Sequence, residues 1–177
     1  MLLVLELKKN WYYVMESKIK ITNNPICAEC PCKIYADDKT TIAFGRGNIV
    51  SGKIIILPQF NQKSLEIIIE QYLELTGRDI YEDCYVTALQ KCYIFSDIPE
   101  KKSAEHCTRL LTYEIGKINP RKLLFLGFTY DHYCNNCKVN VINGKVITAP
   151  NPLIFMYNNQ KFITEFTERL REFAYDS

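Results

Sequence analysis

Short, uninterrupted apolar runs constrain the fold of this chain more than any other feature. Lys53–Leu57 is a β-branched run that ends at Pro58, and Lys122–Leu126 is a similar run that stops at Gly127. Cys84–Leu89 is a third strand candidate. Continuous apolar runs of this length are typical of strands that are buried on both faces of a parallel sheet.

Segments with helical periodicity alternate with these runs. The predicted helices are Ser64–Leu75, Glu100–Ile118 and Lys161–Phe173. Ser64 is the expected N-cap of the first helix and Gly77 its C′ residue. Val139–Thr148 predicts a hairpin about Asn143-Gly144, followed by a strand. Strands that alternate with helices predict an α/β sandwich with a mainly parallel sheet.

Length and charge favour one domain in an intracellular setting. A chain of 177 residues suits a single core, and 22 Lys+Arg against 20 Asp+Glu impose no particular partner. The apolar opening Met1–Leu5 is too short for a secretory signal, and no run has the length of a membrane span. We therefore predict an extension at 1–24, one domain at 25–177, and a cytoplasmic or nucleoid-associated protein that is neither secreted nor bound to a membrane.

Eight cysteines indicate a metal site, because a reducing compartment disfavours structural disulfides. Cys27 and Cys30 form a CxxC pair, which is a small chelate. Cys92 follows a predicted strand and Cys107 lies in the next predicted helix, so the four thiolates together suffice for four-coordination. Zinc and an iron–sulfur cluster both accept four thiolates, and spacing alone does not choose between them.

Two alternatives remain open at this point. Cys92 and Cys107 are also interpretable as small core residues, a common fate of cysteine. Cys134 and Cys137 form a second CxxC pair, which together with Cys27 and Cys30 would make a zinc site of two knuckles. Cys32 and Cys84 have no role that the sequence assigns.

The order of the motifs resembles that of the iron–sulfur uracil-DNA glycosylases, the family-4 and family-5 branch of that superfamily. The likeness covers about residues 25 to 173. Its matching segments, in chain order, are Cys27-Ala-Glu-Cys30-Pro31, Gly45-Arg-Gly47-Asn48, Lys53–Leu57, Thr87-Ala-Leu-Gln-Lys-Cys92, Cys107 in its helix, Pro120-Arg-Lys-Leu-Leu-Phe-Leu-Gly127, and Thr148-Ala-Pro-Asn-Pro152.

This resemblance implies a fold and a cofactor. The expected fold is a three-layer α/β sandwich about a central, mainly parallel, four-stranded sheet. The expected cofactor is a [4Fe-4S] cluster on Cys27, Cys30, Cys92 and Cys107, structural rather than redox-catalytic, which ties the N-terminal loop to the body of the fold. Cys134 and Cys137 would then be extra.

The catalytic motifs of the family are degenerate in this chain. The first motif should supply a carboxylate but reads Leu57-Pro58-Gln59-Phe60-Asn61, the second should supply an Asn but has Ala88, and the third should supply a His but has Ala149. The two histidines, His106 and His132, lie outside the third motif. All four ligand cysteines are present, whereas each of the three catalytic motifs lacks its functional residue. This combination predicts a scaffold that binds without catalysis.

The expected role is that of a DNA-binding or assembly subunit in a replication or transcription complex. No small-molecule substrate is expected. The candidate nucleic-acid contacts are Arg46, Lys53, Lys91, Asn151 and Leu153, the last two within the apolar loop 151–157. One alternative is an active glycosylase that removes uracil or another deaminated base in a pocket formed by Gln59, Phe60 and Asn151. Another is a zinc-knuckle binding protein.

Overall fold

The computed structural model describes residues 27, 29, 30, 42–92, 101–136 and 142–175, apart from the side chains of 101–104, 132 and 136. The predicted extension 1–24, Cys32, Cys137 and the first half of the predicted hairpin lie outside these residues.

A five-stranded mixed sheet forms the centre of the described fold. Its strands are β1 Arg46–Gly47, β2 Lys53–Gln59, β3 Tyr85–Gln90, β4 Lys122–Leu126 and β5 Lys145–Ala149. They lie in the order β1-β3-β2-β4-β5, in which β1 is antiparallel to β3 and the other neighbours are parallel. The predicted α/β class and mainly parallel sheet are confirmed. The predicted count of four strands is wrong, because the two-residue β1 adds an edge strand beside β3.

Helices connect the parallel strands. They are α1 Gln62–Thr76, α2 Ile80–Asp83, α3 Lys101–Ile118, α4 Thr129–Asn136 and α5 Gln160–Ala174, with a 3₁₀ helix at Pro152–Tyr157. Asn61, not Ser64, is the N-cap of α1, because its side chain accepts hydrogen bonds from the N–H groups of Lys63 and Ser64. Gly77 caps the other end at a φ of 70°, as predicted. Across the described residues, no helix combines the length and the apolar character that crossing a membrane requires.

Two apolar cores lie on opposite faces of the sheet, because successive residues of a strand point to opposite sides. Ile55 and Leu57 of β2 pack with Tyr72 of α1 and Phe166 of α5. The alternate residues of β2 pack with Leu111 and Ile115 of α3. The described elements therefore form an α/β sandwich with a helical layer on each face.

The sheet has a topological switch between β2 and β4. The chain passes from β2 to β3 on one side and then returns to β4 on the other side of β2. In open α/β sheets, ligands bind outside the carboxyl ends of the strands at such a point. Here we call the residues beyond the carboxyl ends of β2, β4 and β5 the carboxyl edge, and the opposite end of the strands the amino edge.

Candidate metal centre and carboxyl edge

The CxxC pair forms a tight turn in the structure. The N–H of Cys30 donates to the carbonyl oxygen of Cys27 at 3.1 Å, and both side chains are buried. A turn of this kind brings two thiols to the same side of the backbone, which is the arrangement that a CxxC chelate uses.

Cys92 lies in the same buried cluster as the CxxC pair. It forms an isolated antiparallel bridge with Ile42, and Cys27, Cys30, Ile42, Cys92 and Leu110 pack together as one apolar cluster. Leu110 belongs to α3. The cluster therefore joins the N-terminal segment, the end of β3 and one face of α3, and it brings together three of the four predicted ligands.

Cys107 lies on that same face of α3, three residues before Leu110, and is buried. Residues three apart on a helix are neighbours on its surface. Cys107 also acts electrostatically on Lys91, the residue before Cys92. The structure thus groups three of the four thiols and buries the fourth, Cys107, one helical turn from Leu110 of the same cluster.

The donor set suits an iron–sulfur cluster. Thiolates are the ligands that hold such clusters, and Cys27, Cys30, Cys92 and Cys107 would supply them. Within the described residues, no group of three or more His, Cys, Asp and Glu side chains is arranged so that it could hold a metal ion. The four-cysteine centre therefore remains a prediction that these thiols fit chemically.

The other described cysteines occupy different environments. Cys134 is exposed on α4, and its CxxC partner Cys137 lies outside the described residues. Cys84 is buried against α1, where its thiol donates to the Tyr72 hydroxyl at 3.4 Å. Burial raises the pKa of the Cys84 thiol to about 12. Cys84 is therefore a protonated core residue at neutral pH.

A buried ion pair adjoins the cysteine region. Lys91 is 1% exposed, and its ammonium donates to the Glu114 carboxylate and, at 2.6 Å, to the Thr87 hydroxyl. Glu114 also accepts from the Thr87 and Tyr85 hydroxyls at 2.9 and 3.0 Å and from the N–H of Gly45 at 3.1 Å. Burial lowers the pKa of Lys91. The nearby Glu114 and Cys107 act in the opposite direction and raise it, but burial is the larger effect.

Lys91 was predicted as a phosphate contact, and this network shows where its side chain lies in the structure. Its ammonium is enclosed by protein and bound to Glu114, so it is not available to DNA in this structure. Sequence reasoning missed Glu114, which lies 23 residues away. Its position seven residues after Cys107, on the same helical face, was the available signal.

The remaining candidate nucleic-acid contacts do not form one surface. Arg46 lies on β1 with its guanidinium over the Tyr81 ring. Lys53 starts β2, at the amino edge, and its ammonium pairs with Asp83 at 3.3 Å. Asn151 and Leu153 follow β5 and therefore lie at the opposite, carboxyl edge.

The blank motif positions meet at the carboxyl edge. Pro58 and Gln59 end β2, and Ala149 ends β5. Pro58 and Asn151 both lie 3.5 Å from the position that a Cβ on Gly127 would occupy, so the strand ends are in close contact there. Ala88 is buried within β3, beside Leu57 of β2. None of these positions carries an acid or a histidine.

Gln90 is a residue of this region that sequence reasoning missed. It ends β3 opposite Gln59 and is buried. Its side-chain N–H donates to the carbonyl oxygen of Cys92 at 3.3 Å, whereas its Oε1 accepts no hydrogen bond in the part of the chain that is described. A buried amide oxygen of this kind is an acceptor for a donor group that a ligand or water would bring.

No protein-family model matches the chain, and none of the curated proteins matches it significantly.

Proposed function

We propose that the protein is a non-catalytic assembly or DNA-binding subunit built on the iron–sulfur uracil-DNA glycosylase type of fold. The parallel strands in the order β3-β2-β4-β5 and a helical layer on each face support this fold type. The grouping of Cys27, Cys30 and Cys92 with Leu110, one turn from Cys107, is the observation that carries the proposal.

The four cysteines would hold a [4Fe-4S] cluster that supplies a rigid cross-link and no redox step. Its ligands come from the N-terminal segment, from the end of β3 and from α3. A centre of this kind stabilises the fold by fixing segments that are distant in sequence. Among the described residues, the N–H of Ala43 donates to the carbonyl oxygen of Lys91 at 2.6 Å and Ile42 packs beside Cys92, and the cluster would add to these attachments.

The carboxyl edge supports binding rather than hydrolysis of a glycosidic bond. Such a glycosylase needs a group to handle the attacking water and a donor for the negative charge on the departing base. Gln59 and Ala149 stand at the two corresponding positions. An amide is not a base at neutral pH, and a methyl group donates no hydrogen bond.

Exposed apolar side chains at this edge favour a protein partner. Phe128, two residues after the end of β4, is 79% exposed, and Met156 and Tyr157 of the 3₁₀ helix are 58% and 80% exposed. Aromatic residues and methionine are enriched in protein interfaces. We propose that these three residues contact another subunit of a replication or transcription assembly, with DNA as the other class of partner.

Two experiments test this proposal. The first measures base release from uracil-, hypoxanthine- and xanthine-containing DNA, where the expected result is none. The second purifies tagged protein with its native partners and compares Phe128→Ser/Tyr157→Ser with Tyr175→Ser, a control at the amino edge. A specific partner should be lost from the first variant and kept by the control. A partner that both variants keep would contradict the proposed surface.

The second candidate function is an active glycosylase of divergent mechanism. The Oε1 of Gln90, which accepts no hydrogen bond from the described residues, favours it, because this acceptor lies at the end of β3 beside Gln59, where a base could donate to it. Base release that Gln59→Ala abolishes would establish this function in place of the first.

A further inference from the structure

A surface groove opens at the amino edge of the sheet, on the face that α3 covers. Its volume is 670 Å³, within the range of pockets that bind ligands. Tyr85 and Glu114 are buried in its floor, and Gly52 lies between its walls. Its outer wall is formed by Phe44, Ile49, Val50, Tyr113, Lys117 and Arg121. The carboxyl edge, with its exposed Phe128 and Tyr157, is at the other end of the strands.

Several side chains of the outer wall are apolar and exposed. Val50 is 86% exposed, Tyr113 is 63% exposed and Ile49 is 59% exposed. Single exposed apolar residues are ordinary on protein surfaces, but several on one concave surface mark an interaction site. Ile49 and Val50 lie in a turn before β2, so these two side chains project from a short loop beside the groove.

Two cations accompany this apolar wall. Neither Lys117 nor Arg121 forms an ion pair with a carboxylate of the described residues. The Lys117 ammonium lies 5.5 Å from the centre of the Tyr113 ring, and Arg121 donates to the carbonyl oxygen of Ser51 at 3.4 Å. The carboxylate of Glu114 does not offset them, because it is bonded to Lys91 below the groove.

We propose that this groove docks an acidic peptide segment of a protein partner. A bulky apolar side chain of the segment fills the space beside Ile49, Val50 and Tyr113, and its carboxylates pair with Lys117 and Arg121. Two cations neutralise few phosphates, so single-stranded nucleic acid fits the groove less well, although Phe44 and Tyr113 offer aromatic surface and the test therefore includes an oligonucleotide. This site is separate from the carboxyl edge and extends beyond the function proposed above.

An array of labelled peptides of about 12 residues tests the proposal. In one set, Asp or Glu alternates with Leu, Ile, Phe or Trp in varied order; in the matched set, Lys replaces each acid. The probes are applied to anaerobically purified full-length protein, beside a single-stranded oligothymidine. The test variants are Lys117→Glu/Arg121→Glu and Val50→Asp. The control, Lys63→Glu/Lys161→Glu, makes the same change in charge on the opposite helical layer.

The acidic set should bind better than the basic set. Lys117→Glu/Arg121→Glu should weaken the best acidic peptide by at least about tenfold, because both rim charges then repel it. Val50→Asp should weaken it without threatening the fold, and the control should bind as the wild type does. Three results would overturn the proposal. The acidic and basic peptides could bind equally well, the groove variants could bind the acidic peptide as tightly as the wild type does, or oligothymidine could bind at the groove more tightly than the best acidic peptide. Iron content is measured on every variant, so a failure of the groove is distinguishable from a failure of the metal centre.

Discussion

Removing the carboxylate of Glu114 should destabilise the protein strongly. Glu114→Ala deletes the acceptor for Lys91, Thr87, Tyr85 and the N–H of Gly45 at one time. It leaves the Lys91 ammonium enclosed, with the Thr87 hydroxyl as its remaining acceptor among the described residues. A buried charge that loses its partner is the costly case, because it retains the desolvation penalty without the compensating attraction.

The expected loss is about 3–5 kcal/mol for Glu114→Ala. In a domain of this size that corresponds to a fall in Tm of about 6–20 °C. Lys91→Met should cost less, because the carboxylate that remains keeps Thr87, Tyr85 and Gly45 as donors. The double variant Lys91→Met/Glu114→Gln should cost less than the sum of its two single variants, with a coupling of about 1–3 kcal/mol.

Thermal and urea denaturation, followed by circular dichroism, measure these differences. Glu172→Ala is the matched control, since it removes a carboxylate that Lys145 and Arg169 pair with at the surface. Its Tm should stay within about 2 °C of the wild type. Iron is quantified in each sample, because α3 also carries Cys107. A Glu114→Ala variant that melts as the control does would refute the account of this buried pair.

Three further predictions concern the scaffold. Gly47→Ala should destabilise the protein far more than Gly77→Ala, as measured by urea denaturation. Both glycines have positive φ, but a Cβ at Gly47 would collide with the Cys84 carbonyl oxygen, whereas a Cβ at Gly77 would meet nothing within 4 Å. Asn61→Ala should cost about 1 kcal/mol by the same assay, and Asn61→Asp almost nothing, because only the first removes the cap. In the folded protein the pKa of the Cys84 thiol is about 12, against an ordinary value of 9.0. The contribution of this thiol to the free energy of unfolding is therefore fully present below pH 9 and is lost as the pH rises toward 12. Alkaline loss of stability should therefore be shallower in Cys84→Ala, and an equal slope would count against its burial.

The sequence predicted those parts of the fold that local pattern determines. β2 and β4 were evident because uninterrupted apolar runs suit strands that are covered on both faces. β1 was missed because two residues carry no periodicity, and only their pairing with Val86 and Tyr85 makes them a strand. The cap of α1 was misplaced by three residues, because Ser64 and Asn61 are both good caps and only backbone geometry decides between them.

The cysteines of the candidate site were predictable from the sequence, whereas the buried ion pair beside them was not. The grouping of Cys92 with Cys27 and Cys30 agrees with the spacing argument, although metal binding itself stays a prediction. The burial of Lys91 was not foreseen, because a lysine in a sequence is ordinarily a surface residue. Its partner Glu114 comes from a different element, so the pair becomes visible only when β3 and α3 are packed together.

The metal content of anaerobically purified protein tests the central claim most directly. The account predicts a brown protein with about four iron and four sulfide per chain. Cys27→Ser, Cys92→Ser and Cys107→Ser should each lose the colour and most of the iron, whereas Cys134→Ser should keep both. A colourless protein that holds one zinc ion and loses it in Cys134→Ser would contradict the account and favour the site of two CxxC knuckles.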